Sequence, residues 1–263
     1  MNTLSDTLHN DAYVASRLNP RWRDEHCLIL QDILGMVRPF ATEVTGALFD
    51  YGSGGGPYRS LFQGITRYVR ADITPGPNVD RQLPASGLTE ESGDQYDAVL
   101  STQVLEHVPD PAAYLRECFR ILRPGGRLLL TTHGMFEEHG CPYDFHRWTA
   151  VGLENAVKSV GFDIEQSTKL TTGPRGSVQI YHYLIGGLRS PSQPLWKALF
   201  AVIRRVHFWT GLPLLNAVAG AFSAHGVVPA RHPAAIYVGV GVVACKPANA
   251  GPARDSGPRP GSS

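Results

Sequence analysis

Apolar residues along this chain follow two alternating rhythms. Short unbroken runs, at Leu48-Phe49, Tyr68 to Ile73, Asp97 to Ser101, Arg127 to Thr132, Phe162 to Ile164 and Ile236 to Val243, suit strands covered on both faces. Between them, apolar positions recur at helical spacing. Leu30, Ile33, Leu34 and Val37 form one stripe, expected to end near Pro39. Asp110 is placed to cap a second helix with Pro111 in its first turn, and Leu115, Cys118, Phe119 and Leu122 supply its buried side. Thr149 caps a third, with Leu153, Ala156, Val157 and Val160 on one side and Gly161 after its end. Strand alternating with helix predicts an α/β chain with a doubly wound, mostly parallel sheet.

Ligands of such sheets rest beyond the carboxyl ends of the strands. The first run ends Asp50-Tyr51-Gly52-Ser53-Gly54-Gly55-Gly56-Pro57, with Gly52, Gly54 and Gly56 alternating. Without a Cβ, such a loop lets the backbone approach a nucleotide closely. A dinucleotide fingerprint needs its third glycine where this chain has Pro57, so the loop favours a ligand on strand-end backbone over a pyrophosphate on a helix N-terminus. The next run closes on Asp72, whose two oxygens match the paired hydroxyls of a ribose, and Ile73 beside it offers apolar surface to a base.

Further pieces follow in order: Asp97-Ala98-Val99-Leu100-Ser101, then Gln103-Val104-Leu105-Glu106-His107-Val108-Pro109-Asp110-Pro111, then Leu122-Arg123-Pro124-Gly125-Gly126-Arg127 leading into Leu128-Leu129-Leu130. From about residue 48 to 170 the chain resembles the class I S-adenosylmethionine-dependent methyltransferases. The resemblance implies a Rossmann-like, doubly wound sheet of seven mostly parallel strands and S-adenosyl-L-methionine as cofactor. It places Asp50 and Gly56 in the cofactor loop, Gly52 and Gly54 at the methionine part, Asp72 with Ile73 at the ribose and base, Asp80 at the adenine edge, and Gln103 on the site floor. The expected organisation is an N-terminal helical cap over 1–45, a cofactor-binding core over 46–172, an apolar helical insertion over 173–234, a closing strand over 235–246 and a disordered tail over 247–263.

The stretch from His133 to Trp148 follows the fifth strand and is the most unusual part of the chain. It carries His133, His139 and His146 with Glu137, Glu138, Asp144 and Cys141, but lacks the compact helical or Cys-x-x-Cys spacing of a metal motif. No metal is expected. The better reading is contact with the methyl acceptor, because the loop starts where the sheet delivers its ligand and holds groups that titrate near neutrality. His133 and His139, joined by His107 from the fourth strand's end, are the catalytic candidates, and Tyr143, Asp144, His146 and Arg147 the acceptor-contacting ones. The competing reading pairs Asp144 with Arg147 and uses Tyr143, Phe145 and Trp148 to pin the loop. The phrase from His139 to Thr149 also resembles a loop of bacterial methyltransferases in cell-surface polysaccharide and lipid-linked sugar pathways. These features imply O-methylation of a small or lipid-linked acceptor in a surface-polysaccharide, quinone or natural-product pathway. A non-catalytic cofactor-binding scaffold is the alternative, and a nicotinamide oxidoreductase a more distant one, disfavoured by Pro57 and the lack of an evident Tyr-x-x-x-Lys pair.

Composition narrows this picture. A net charge of +1 over 263 residues, with basic residues scattered, gives no basis for nucleic-acid binding. Cys27, Cys118, Cys141 and Cys245 lie far apart, as reduced packing residues of a cytoplasmic protein would. The first twenty residues carry Asp6, His9, Asp11 and Arg17 in place of a signal peptide's apolar core. Within the insertion, 195–222 is strongly apolar and includes Trp196, Phe200, Phe208 and Trp209 with Lys197, Arg204 and Arg205. Two helices capping the site are expected there, burying their apolar faces on the sheet or across a homodimer, with peripheral contact at the inner membrane face as the other use.

Overall fold

The computed structural model describes residues 11–186, 193–222, 226–234 and 236–249. An eight-stranded sheet runs β3-β2-β1-β4-β5-β8-β6-β7, built from β1 (Gly46–Tyr51), β2 (Ile65–Asp72), β3 (Arg81–Gln82), β4 (Tyr96–Thr102), β5 (Leu122–His133), β6 (Asp163–Thr172), β7 (Val228–Pro229) and β8 (Tyr237–Cys245). Pairing is parallel from β3 across to β5, and β8 runs antiparallel between β5 and β6. This is the Rossmann-like, doubly wound arrangement expected from sequence. The count is eight because the two-residue β7 adds to the edge at β6, pairing Val228 with Lys169.

Helices cover both faces. α1 (Asp11–Leu18), α2 (Cys27–Glu43) and α5 (Gly173–Gly186) lie N- and C-terminal to the core strands, while α3 (Pro111–Ile121) and α4 (Ala150–Ser159) follow β4 and β5. Alternate residues of each strand feed two cores. Phe49, Val99, Leu128 and Val242 meet Leu115, Cys118 and Leu153 on one face, and Leu48, Leu100, Leu129 and Val243 meet Ile33, Val37 and Phe40 on the other. The caps read from sequence form: Asp110 accepts from Ala113 N at 2.9 Å and Thr149 from Gly152 N at 3.0 Å.

Two local expectations are corrected. α2 continues through Pro39 to Glu43, because Phe40 and Ala41 beyond the proline are buried against the sheet. β5 begins at Leu122, before the Pro-Gly-Gly run, where Gly125 N donates to Lys246 O and Lys246 N returns a bond to Gly126 O. α6 (Pro194–Val206) passes through a π-helical turn at His207–Gly211 into α7 (Leu212–Phe222). No helix among the described residues is long and apolar enough to cross a membrane. The tail from residue 250 and the first ten residues of the N-terminal cap lie outside the described residues.

A buried ion pair ties the N-terminal cap to the helix after β6. Arg175 Nη2 lies 2.8 Å from Asp32 Oδ1, and Thr171 Oγ1 donates to Asp32 Oδ2 at 2.8 Å. Burial pushes the Asp32 carboxyl up, and the Arg175 guanidinium works against that. Arg175→Ala would leave Asp32 as an uncompensated buried charge and should cost about 3–5 kcal/mol, read by urea unfolding. The double variant Asp32→Leu with Arg175→Met should recover most of that loss.

Candidate active site

The cofactor half of the site is assembled at the carboxyl ends of β1, β2 and β4. Gly52 leaves β1 with φ +74°, and a Cβ there would fall 2.5 Å from Val104 Cγ2, so only glycine fits between the loop and the turn after β4. Gly54, also at positive φ, donates its N–H to Asp72 Oδ2 at 2.8 Å. Thr74 N donates to Asp72 Oδ1 at 2.8 Å. The Asp72 carboxylate is thereby oriented by backbone, with lone pairs remaining on both oxygens for a diol. Ile73 beside it is half exposed, at 51%, as an apolar platform for a base must be. Gly56 N closes the loop on Ser53 O at 2.8 Å.

Gln103 stands at φ +57°, an uncommon conformation for a residue with a side chain. Its N–H donates to Thr131 O at 2.8 Å and Nε2 to Thr131 Oγ1 at 3.0 Å, while its Oε1 is buried with no partner. A strained residue with an unmet buried acceptor at a strand end suits a ligand-facing role. These features fit S-adenosylmethionine: a backbone cradle without Cβ, a backbone-oriented carboxylate, and an unpaired acceptor beside them. Asp50 lies inside the sheet, 2% exposed, accepting from Tyr68 Oη at 2.8 Å, and burial pushes its carboxyl up to about 7. Asp80, expected at the adenine edge, is paired with Arg70. Both its oxygens already accept from Arg70, at 2.9 Å each, which holds its carboxyl below the ordinary range.

The acceptor half is built where β4 and β5 end. Beyond Gln103 the chain makes a 3-10 turn at Leu105–His107 that buries Glu106 completely. Glu106 Oε2 accepts from Thr132 Oγ1 at 2.7 Å, and its Oε1 lies 3.1 Å from His133 Nε2. Burial pushes the Glu106 carboxyl up to about 7 and holds the His133 imidazole well below its usual value. The His133 ring stacks on Phe136 at 3.7 Å, and His139 sits edge-on to His133 at 4.9 Å and to His107 at 4.7 Å. So the structure brings His107, His133 and His139, far apart in sequence, into one cluster.

His107 Nδ1 lies 2.5 Å from Tyr143 O. A carbonyl only accepts, so this assigns a proton to Nδ1, and in the neutral ring Nε2 is then the bare, accepting nitrogen. His26 and Tyr183 extend the aromatic wall, with Phe136 6.2 Å and 4.6 Å from them. Burial lowers His26 to about 4, so it is a neutral wall residue at pH 7. Phe136 and Tyr183 escaped the sequence reading because an aromatic residue in a loop or helix carries no positional signal.

The loop after β5 is braced by its own charges. Arg147 binds Asp144 through two bonds of 2.6 and 2.7 Å, Asp144 Oδ2 also accepts from His139 N at 2.9 Å, and Arg147 Nη2 donates to Glu137 O at 2.7 Å. The guanidinium holds the Asp144 carboxyl well below the usual carboxylate range. For Asp144 and Arg147, expected at the acceptor, the structure has the competing arrangement, with polar atoms turned to the loop. His146 N donates to Glu106 O at 3.2 Å, and Trp148 N to His133 O at 2.9 Å, so both pin the loop to the strand ends. Tyr143 projects from the rim, 61% exposed.

Comparison with known proteins identifies the family and the fold. A family profile described as a methyltransferase domain matches residues 22–167. The chain belongs to this methyltransferase family, whose cofactor is S-adenosylmethionine. It is 47% identical over 61 residues to a ubiquinone biosynthesis O-methyltransferase of Pseudomonas fluorescens, covering 23% of this chain and 26% of that protein. A protein of the same description from Pseudomonas putida is 44% identical over 52 residues, 20% of this chain and 22% of that one. The chain thus spans about a quarter of the length of the curated relatives it matches. Among solved structures, phosphoethanolamine N-methyltransferase 2 of Haemonchus contortus with S-adenosyl-L-methionine superposes with TM-score 0.51 at 17% identity, over 94% of this chain and 60% of that one. A [4+2]-cyclase superposes with TM-score 0.50 at 17% identity, over 83% and 81%. These likenesses show the shared fold.

Asp72→Ala should weaken S-adenosylhomocysteine binding about 10- to 100-fold, the loss expected for hydrogen bonds of roughly 1.5–3 kcal/mol to a charged group. Calorimetric titration reads this directly, with Asp72→Asn falling between the two.

Proposed function

We propose that this chain transfers the methyl group of S-adenosylmethionine to a hydroxyl of an apolar, small or lipid-linked acceptor. The observation that carries this reading is His107: its bare Nε2 belongs to the turn that follows Val104, which packs on the cofactor glycine Gly52, and its ring meets the His139–His133–Phe136 wall. A base beside a cofactor loop and an aromatic wall suits hydroxyl methylation. When bound, the cofactor supplies an electrophilic methyl carbon on sulfur, which takes the electron pair of the broken bond.

The protein's part is placement and proton transfer. Gly52, Gly54 and Asp72 hold the donor in register with the β4 end, and Phe136, His133 and Tyr183 exclude water from the acceptor's side. His107 Nε2 takes the hydroxyl proton as the new bond forms, and Tyr143 O holds the ring in the required tautomer. The Pseudomonas relatives, O-methyltransferases of ubiquinone biosynthesis, support O-methylation of a quinone-type ring, and the His139–Thr149 loop supports a lipid-linked sugar. The fold is shared with a [4+2]-cyclase, so turnover must be measured and not inferred from binding.

With S-adenosylmethionine and a panel of quinol and lipid-linked sugar acceptors, the wild-type chain should release S-adenosylhomocysteine. His107→Ala should lower turnover about 10²- to 10⁴-fold with cofactor binding unchanged. Cofactor binding with no turnover on any hydroxyl acceptor would favour the scaffold.

The surface of α6 and of the π-helical turn after it supports delivery of the acceptor from a membrane. No residue of α6 is buried, and Leu195, Trp196, Leu199, Val202, Val206, Phe208 and Trp209 are all exposed, alongside Lys197, Arg204 and Arg205. Aromatics and cations on one apolar helix suit the cytoplasmic face of an anionic bilayer, from which a greasy acceptor is drawn. Co-sedimentation with vesicles containing phosphatidylglycerol should be strong at low salt and weak at high salt, and largely lost in the double variant Trp196→Ala with Trp209→Ala. Exclusion from vesicles together with dimeric elution would assign this face to a homodimer.

A further inference from the structure

Glu106 has no part in the proton transfer above, yet it is the most deeply buried acid near the site. Its side chain is 0% exposed and its Oε1 makes no hydrogen bond. Arg147, the cation acting on it, gives its donors to Asp144 and to the carbonyls of Phe136, Glu137 and His146. A buried carboxylate with no paired cation is costly. His133 is nearly as buried, at 5% exposure.

One ligand atom from each of Glu106, His133 and His139 lies within 4.8 Å of the other two. Glu106 Oε1 and His133 Nε2 are 3.1 Å apart, near the separation of two atoms each roughly 2.1 Å from a single ion. His139 Nδ1 faces Glu137 O at 3.2 Å and Asp144 Oδ2 at 3.6 Å, partners of the kind that orient a metal-bound imidazole, and this leaves its Nε2 as the ligand atom. Thr132 Oγ1 does the same for the second oxygen of Glu106.

We propose that Glu106, His133 and His139 form a site for one divalent transition-metal ion of the zinc class. Two imidazoles and a carboxylate favour such an ion over magnesium or calcium, which prefer oxygen ligands throughout. Three protein ligands leave a position open, and the acceptor's hydroxyl takes it. This role rests on the methyl-transfer reading above. Coordination acidifies the hydroxyl, and its proton passes to His107 Nε2, on the ring 4.7 Å from His139. The oxygen's electron pair forms the bond to the methyl carbon, and the carbon–sulfur pair leaves with sulfur, so no external oxidant or reductant is needed.

The test uses the untagged full-length chain, stripped with chelator, dialysed, and titrated with Co²⁺ while visible d–d absorption is followed. One equivalent should bind with a visible band, and Zn²⁺ should displace it. His139→Ala, at a half-buried position, and Glu106→Gln should each weaken Co²⁺ binding by more than the roughly 10- to 100-fold that loss of an orienting partner costs. S-adenosylhomocysteine calorimetry on the same samples reports whether each variant is folded. Absence of the band, or a band that survives His139→Ala in a variant that still binds S-adenosylhomocysteine, overturns the metal site and leaves the methyltransferase reading intact. Failure of the wild-type chain to bind S-adenosylhomocysteine overturns that reading instead, whatever the metal does.

Discussion

Parallel pairing of β1 with β4, and of β4 with β5, is the constraint on which the rest of the structure depends. Asp50 sits opposite Leu100, Ser101 opposite Leu130, and Thr102 opposite Thr131, so three chain segments leave the sheet at one edge. A parallel ladder covered by helices on both faces has no freedom to slide without moving apolar side chains out of their cores. The glycine loop after β1, the turn after β4 and the histidine loop after β5 therefore meet at fixed separations, although each is irregular in itself.

Polar groups at this edge are held by one another and by backbone. Asp72 is aimed by two backbone N–H groups, Asp144 by Arg147 and a backbone N–H, and Glu106 by Thr132. Such bracing restricts the loops and lowers the entropy lost when ligands bind. Among the buried polar atoms without a partner, Gln103 Oε1 and Glu106 Oε1 follow β4 and His133 Nδ1 ends β5, beside the proposed reaction centre.

Distance from the sheet tracks a change in role. α2 is buried along one whole side and locked by Arg175 to the chain after β6, whereas α6 buries nothing. The first kind of helix stabilises the sheet that aligns the site. The second presents apolar and basic surface outward, which suits a contact made with something other than this sheet.

Much of this was legible in the sequence. The strand and helix rhythm, the caps at Asp110 and Thr149, the glycine loop and Asp72 all depend on local chemistry: period, φ preference and capping act over a few residues, so the sequence alone determined the fold class and the loop chemistry at the ends of β1 and β2. The seven-strand expectation missed only β7, two residues long and paired through tertiary contact. What the sequence could not determine is which distant groups share a space. Asp80 looked free until Arg70 closed on it, Asp144 and Arg147 looked available until they bound one another, and Glu106, His133 and His139 show no metal spacing because the ends of β4 and β5 and the loop beyond supply them separately. Spacing along a chain encodes geometry only within one element. Between elements, the sheet's register and the packing of its two cores decide.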